Sequence, residues 1–541
     1  MKRTRHLIKP LALLTGLSLS SAVFAKSNRD DDDDRHKHEL KAYDFAAPAP
    51  LAAPSMRMPM RMHMQMEVAG KLGATPGGAQ DISYARDRIS AGEVPHPNTF
   101  TPEGLLSEHD LPLETGRKCN QTLCLTAAAV PAELTAMPET RVLGQLGFAS
   151  NLDAATWRRD RMNIVAVVDK SGSMSGPPID TVKASLHQIL NQLGDGDQLS
   201  IVLYGDRSHV HLAPIAVSQK DKARIHAQID AITISGSTNM EEGLKVGYQV
   251  ATDSAAQFRG TTRVMLFTDE RPNVGAVDKD SFIGMARAAS KRGVGLTTIG
   301  VGTQFGAEVA TAISSVRGGN LFFFPNIPDM ESKFKKDLDT MLSELAYDMK
   351  LKIWPQRGYK IVGLFGLPGD LVKRTPDGGL EMTVETIFLS KERGGMFFAF
   401  APEGGGALPP NTSLASVAMA SIAYAGRDGK SYQDSVDFAR WQAQQGPLPL
   451  GLVRGKLLVD EITTLKKATE LHLQANNQEA AYRLVHALRQ RFEQNKAAGL
   501  DKELATIAKL DETFTRLSGH KGEPQTVVSQ RESVSGLPSP R

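Results

Sequence analysis

Cysteine is nearly absent from this chain. Only Cys119 and Cys124 occur in 541 residues, and no second ligand pair lies near them, which argues against a four-ligand zinc site. The two either close a small local loop in an oxidising compartment or remain free thiols. Neither sign of charge dominates: the formal net charge is +3. The basic residues are scattered rather than bunched, which argues against a nucleic-acid surface. Beyond the N-terminus no apolar run approaches the ~20 residues that a membrane-spanning helix needs.

Enzyme signatures are missing as well. A serine hydrolase elbow wants Gly-x-Ser-x-Gly, but the middle residue between Gly172 and Gly176 is Met174. Gly429-Lys430-Ser431 has the end of a phosphate loop, yet Tyr424 stands where its first glycine belongs, and the setting is a β-turn. No His-Glu-x-x-His occurs. The sequence therefore reads as a non-enzyme.

The first 25 residues read as a signal peptide. Lys2, Arg3, Arg5 and Lys9 precede an apolar stretch from Leu11 to Val23, and Val23-Phe24-Ala25 has the small residues of a cleavage site. No cysteine follows, so a lipid anchor is not expected. The chain is expected to be exported, periplasmic or secreted, with no transmembrane segment after cleavage. Residues 26–80 read as a disordered linker. It holds five consecutive aspartates, Asp30 to Asp34, and six of the chain's 19 methionines between Met56 and Met66. Thioether sulfur suits Cu(I), and His63 lies among these methionines, so copper handling is an alternative to a plain low-complexity linker.

A chain of this length, 41% apolar, has room for roughly three to four domains. Residues 81–161 begin with a short helical pattern (Ile82, Tyr84, Ala85, Ile89), pass through a Pro-punctuated segment, and become strand-like from Leu123 to Phe148. From 162 to 346, apolar strands (Ile164–Val168, Leu199–Tyr204, Val264–Thr268, Leu296–Val301, Leu321–Phe324) alternate with amphipathic helices, the last spanning Asp329–Ala346. Val210–Ile215 fits an edge strand. This alternation predicts an α/β, doubly wound, mostly parallel sheet. Residues 347–445 read as antiparallel sandwich strands, 451–518 as a helical segment, and 519–541 as a polar, disordered tail. Trp157, Trp354 and Trp441 read as packing residues.

The chemistry concentrates at Asn163 to Ser175, NIVAVVDKSGSMS. A β-branched apolar run ends in Asp169, followed at once by Ser171 and Ser173, and Pro177 and Pro178 sit where a helix can start. Hard oxygen donors at a strand-to-helix junction suit Mg²⁺. Thr238 opens a later helix, and Asp269 ends the strand LFTD. Three hydroxyls and two carboxylates are thus expected on one rim. Glu241 and Glu242 fall in a helix's first turn, where stabilising the helix dipole is the default. His209 and His211 alternate on one strand face, read as solvated.

In order and spacing, Asp169, Ser171, Ser173, Thr238 and Asp269 resemble the metal-ion-dependent adhesion site of von Willebrand factor type A domains. The resemblance implies that the serine and threonine hydroxyls bind Mg²⁺ (or Mn²⁺ or Ca²⁺), with the aspartates binding directly or through water. An acidic side chain of a partner protein would complete the shell, giving a cation-dependent protein-binding module, for adhesion or scaffolding. A metal-dependent hydrolase is a further alternative. Glu270 departs from the glycine that the family often has. The flanks, including SYARDRISAGEVPHPNTF, are similar to exported bacterial members of this class. That similarity implies one β-sandwich into which the α/β domain is inserted.

Overall fold

The computed structural model describes residues 73–75 and 82–520, apart from 154, 270–278, 302–315, 317, 325, 368–371, 392 and 405–415. The signal segment, the Asp- and Met-rich stretches, Glu270, nearly all of the helical pattern Ala307–Val316, and the tail from 521 lie outside the described residues.

A three-residue strand, β1 (Gly73–Thr75), precedes β2 (Cys124–Pro131) and β3 (Val142–Ala149). The alternating region then contributes β4 (Met162–Asp169), β5 (Gln198–Tyr204), β6 (His209–Ala216), β7 (Thr261–Thr268), β8 (Val294–Val301) and β9 (Gly319–Phe324). Its helices span Pro177–Gln192, Gln219–Asp230, Met240–Ala255, Lys279–Ser290 and Ile327–Met341. After them come β10 (Glu344–Pro355), β11 (Tyr359–Phe365), β12 (Val372–Arg374), β13 (Leu380–Ser390), β14 (Met396–Pro402), β15 (Ser416–Gly426) and β16 (Ser431–Ala439). Three helices end the described chain, Leu450–Leu473, Gln478–Gln494 and Asp501–Ser518.

The run Ile164–Val168 makes β4 the centre of its sheet because every one of its residues can be buried. Ile164, Ala166 and Val168 face a core shared with Val182, Leu186 and Ile189 of helix Pro177–Gln192. Val165 and Val167 face the opposite core, with Leu244, Tyr248 and Ala251 of helix Met240–Ala255. This period of two, covered on both faces, is the signature of a parallel sheet. Full burial of each such Val or Ile contributes roughly 1.5–3 kcal/mol before entropy is counted. A Cβ added to Gly247 would stand 2.3 Å from Val167 Cγ2, so a glycine lets that helix lie close on the strand.

The sheet order is β6-β5-β4-β7-β8-β9. All pairings are parallel except that of β6, the antiparallel edge strand. The chain passes from β4 to β5 on one side and later returns to β7 on the other. The switch point is therefore the carboxyl end of β4, where open α/β sheets hold their ligands.

Two antiparallel sheets, β11-β14-β3-β2 and β1-β13-β10-β15-β16 with β12 on β13, form the sandwich. Leu125, Val142, Leu146 and Phe398 from the first meet Met349, Leu351, Val384 and Ile422 from the second in one core. Strands before and after the α/β domain share a sheet, with Leu146 opposite Met396. The domain is thus inserted between β3 and β10. The terminal helices cover the outer face of β3 and β14, packing Leu457, Val485 and Leu510 with Leu143, Phe397 and Ala399. Cys119 and Cys124 are disulfide-bonded. Trp157 and Trp441 pack, partly buried, against the core edges.

Three local expectations need correction. The helix expected over Asp329–Ala346 stops at Met341, and β10 begins at Glu344. Leu345 and Ala346 are apolar enough to continue the helix, but the sandwich core takes them. Pairing with β13 outweighs local pattern. Gly73–Thr75, inside the stretch read as disordered, pairs with Phe388–Ser390. The Pro-punctuated segment contains a short helix, Pro102–Ser107, with proline at its first turn.

The insertion is tied to the sandwich by a buried ion pair. Arg263 on β7 is 1% exposed. It donates to Glu344 Oε1 on β10 at 2.5 Å, and also to the Leu296 and Gly318 carbonyls and to Thr297 Oγ1.

Candidate metal centre

Asp169 is the last residue of β4 and is fully buried. Its Oδ1 accepts the Ser171 backbone N–H at 2.9 Å. Its Oδ2 accepts the Tyr204 hydroxyl at 3.1 Å and the Thr268 hydroxyl at 3.2 Å. Tyr204 and Thr268 each end a neighbouring strand, so sheet register brings them alongside. These hydrogen bonds fix the carboxylate in one orientation.

From Ser171 the contacts run outward. Ser171 Oγ lies 3.1 Å from Ser173 Oγ. The Ser173 hydroxyl donates to Asp269 Oδ1 at 3.0 Å. Ser171 is buried, Ser173 is exposed and Asp269 is intermediate, so the row climbs from the sheet end to the surface.

A third loop, before helix Met240–Ala255, is stitched to the first. Gly172 N–H donates to the Gly236 carbonyl at 3.2 Å, and Ser235 N–H to the Lys170 carbonyl at 2.7 Å. Lys170 Nζ donates to Ser235 Oγ at 2.7 Å. Asp206 accepts both the backbone N–H and the hydroxyl of Ser237, at 2.8 and 2.6 Å. Gly236 has φ +89°, and a Cβ there would meet Asp206 Oδ2 at 2.5 Å, so the loop requires glycine. Thr238 follows, half-buried. Among the described residues no direct hydrogen bond links it to Asp169, Ser171, Ser173 or Asp269, which do connect to one another.

Burial raises the Asp169 carboxyl above its usual range. Bonds from Ser171 and Tyr204 oppose that, and the charge of Asp269 adds to it. Burial also raises Asp269, opposed by Ser173. Among the described residues neither carboxylate pairs with a lysine or arginine. Nor does any group of three His, Cys, Asp or Glu among them suit a metal. The donor set is instead hydroxyl and carboxylate oxygen, the chemistry that fits a hard divalent cation such as Mg²⁺. Such an ion would offset the two uncompensated negative charges.

Sequence reasoning missed Tyr204, Thr268 and Asp206. Each of the first two closes an apolar strand run, a mark that does not by itself point to Asp169. Asp206 carries no such mark. Glu241 pairs with Lys245 at 2.7 Å. Glu242 accepts from both the N–H and the hydroxyl of Ser208, and among the described residues from none of the site residues. His209 is exposed on edge strand β6, and His211 Nε2 lies 2.8 Å from the Gln228 carbonyl.

Residues 163–336 match the model of the von Willebrand factor type A domain. The Escherichia coli (strain K12) protein YfbK is 33% identical over 280 residues, covering 50% of this chain and 48% of that protein. Human inter-alpha-trypsin inhibitor heavy chain H4 is 29% identical over 164 residues, 29% of this chain and 17% of that one. A solved structure, von Willebrand factor type A from Catenulispora acidiphila, covers 74% of this chain and 98% of its own at 10% identity, with a TM-score of 0.44. The chain spans about half the length of YfbK and less of the inhibitor heavy chain. Residues 163–336 of this chain are a von Willebrand factor type A domain.

Proposed function

We propose that this chain is an exported protein-binding module whose contact depends on a divalent cation, Mg²⁺ in the first instance. Asp169, Ser171, Ser173, Thr238 and Asp269 would hold the ion. The observation that carries the reading is the row Ser171–Ser173–Asp269, standing over a fixed Asp169 at the sheet's switch point. Held mostly by neutral hydroxyls, a divalent ion keeps net positive charge and seeks a further anionic ligand. A carboxylate from a partner protein is that ligand.

Catalysis is the weaker reading. Among the described residues no histidine or lysine hydrogen-bonds Ser171 or Ser173, so a nucleophile with a conventional base is not assembled. No described helix is long and apolar enough to cross a membrane. Export rests on the Lys2–Ala25 segment, and the bonded cysteines are consistent with an oxidising compartment.

Calorimetric titration with Mg²⁺ or Mn²⁺ tests the first link. Wild type should bind one equivalent that Asp169→Ala does not. Equal binding by both removes the site. Cross-linking capture in Mg²⁺ and in EDTA tests the second link, since a partner held by the ion is released by chelation.

A further inference from the structure

Two histidines meet on the outer helices of the type A domain, away from the oxygen-rich rim in both sequence and chemistry. His187 lies on helix Pro177–Gln192. His226 and Asp230 lie four residues apart on helix Gln219–Asp230, and so share a face. His187 Nδ1 and His226 Nδ1 are 2.6 Å apart. His187 Nε2 is 2.9 Å from Asp230 Oδ1.

The carboxylate only accepts, so His187 Nε2 carries the proton. In the neutral ring Nδ1 then presents a lone pair to His226. If His226 is protonated on Nδ1, the two rings share a hydrogen bond. If it is protonated on Nε2, two lone pairs converge on one point, and either an added proton or a metal ion between them relieves the repulsion. An imidazole whose outer N–H is held by a carboxylate while its inner nitrogen faces a second imidazole is the arrangement of an oriented metal ligand.

We propose that His187 and His226 bind one borderline transition-metal ion, Zn²⁺ being the probe of choice, with Asp230 as the positioning residue. Imidazole nitrogen suits Zn²⁺, Ni²⁺ and Cu²⁺, whereas the hydroxyl rim suits Mg²⁺. Among the described residues no third His, Cys, Asp or Glu completes the set, so water fills the remaining positions. Two nitrogens at ~2.0–2.1 Å from a tetrahedral ion stand about 3.3 Å apart, so the rings must separate by about 0.7 Å. His187 is 28% exposed at its side chain and His226 is half-buried, which leaves room for that shift. Lys183 and Lys222 cross between the same helices, donating to the Asp230 and Asn191 carbonyls. Their charges oppose a bound cation, and Asp230 offsets part of that opposition.

The test is a Zn²⁺ titration of the full chain against a chromophoric chelator, in excess Mg²⁺. Wild type is compared with His187→Gln, His226→Gln and Asp230→Asn. Zinc taken by the rim or by the His-containing N-terminal stretch is common to all four proteins and cancels. Each histidine variant should lose one equivalent. Asp230→Asn should keep that equivalent with about tenfold weaker affinity or more, as loss of an outer-shell partner does. Zn²⁺ should raise the Tm of wild type more than that of His226→Gln. Identical zinc number and affinity in wild type and both histidine variants overturns the proposal. Should a histidine variant fail to fold, unchanged affinity in Asp230→Asn overturns it instead.

Discussion

Ser173 donates its hydroxyl hydrogen to Asp269 across 3.0 Å although 96 residues separate them. This bond joins the loop after β4 to the loop after β7, and with it the two ends of the candidate site. The bond is exposed.

Ser173→Ala therefore tests binding without testing folding. The variant should keep the wild-type Tm within about 2 °C, since surface changes shift stability by less than ~0.5 kcal/mol. Its Mg²⁺ or Mn²⁺ affinity should fall on the order of tenfold or more, because a lost direct ligand should cost at least what a lost outer-shell partner does. Calorimetric titration and thermal unfolding of the same sample check both halves.

Two glycines in neighbouring helices should respond to alanine with opposite sign. At Gly247 the new methyl meets Val167 Cγ2 at 2.3 Å inside the core. Gly247→Ala should destabilise by about 1–3 kcal/mol, the usual result of overpacking. At Gly284, in helix Lys279–Ser290, a Cβ meets nothing within 4 Å. Gly284→Ala should stabilise by roughly 0.5–1 kcal/mol through helix propensity alone. Urea unfolding of the two variants side by side decides it.

Acid should weaken the clamp at the base of β4. Burial alone would raise the Asp197 carboxyl, but Arg159 and the Gly194 and Met162 N–H groups more than reverse that, so it lies below its usual range. A carboxyl lowered by folding contributes stability above its unfolded pKa, and the contribution is lost as pH falls through the folded value. Arg159→Met should cost about 3 kcal/mol near neutrality, as breaking a buried pair does. The gap between wild type and variant should narrow as pH drops below ~4. A gap that is constant with pH would contradict this assignment.

The link between the inserted domain and the sandwich should depend on Arg263 and Glu344. Glu344→Gln leaves a guanidinium buried without its counter-ion, at an expected cost of about 3 kcal/mol. Arg263→Met costs a similar amount alone. Together the two changes should cost clearly less than their sum, a coupling that a double-mutant cycle in denaturant measures.

Much of the type A domain was legible in sequence because its information is local. The run Ile164–Val168 can be buried on both faces only as a central strand. Asp169, Ser171 and Ser173 follow within four residues, so one turn of chain sets their relative positions. Asp269 was readable by the same rule, as the carboxylate that closes LFTD. Tyr204 and Thr268 were not, because their contact with Asp169 arises from the register of three strands.

Sequence by itself determined the alternation of strands and helices and the donor types on the rim; the insertion of one domain within another was implied only by the family resemblance, and the pairing of β3 with β14 shows it. Tertiary structure alone decided where the last helix of the inserted domain yields to β10, since Leu345 and Ala346 suit either state until the sandwich core claims them. It also decided that Arg263 meets Glu344, 81 residues away, and that His187 meets His226, 39 residues away. No spacing rule connects such pairs. They touch because the packing of whole elements, driven by burial of apolar faces, leaves those polar side chains opposite one another.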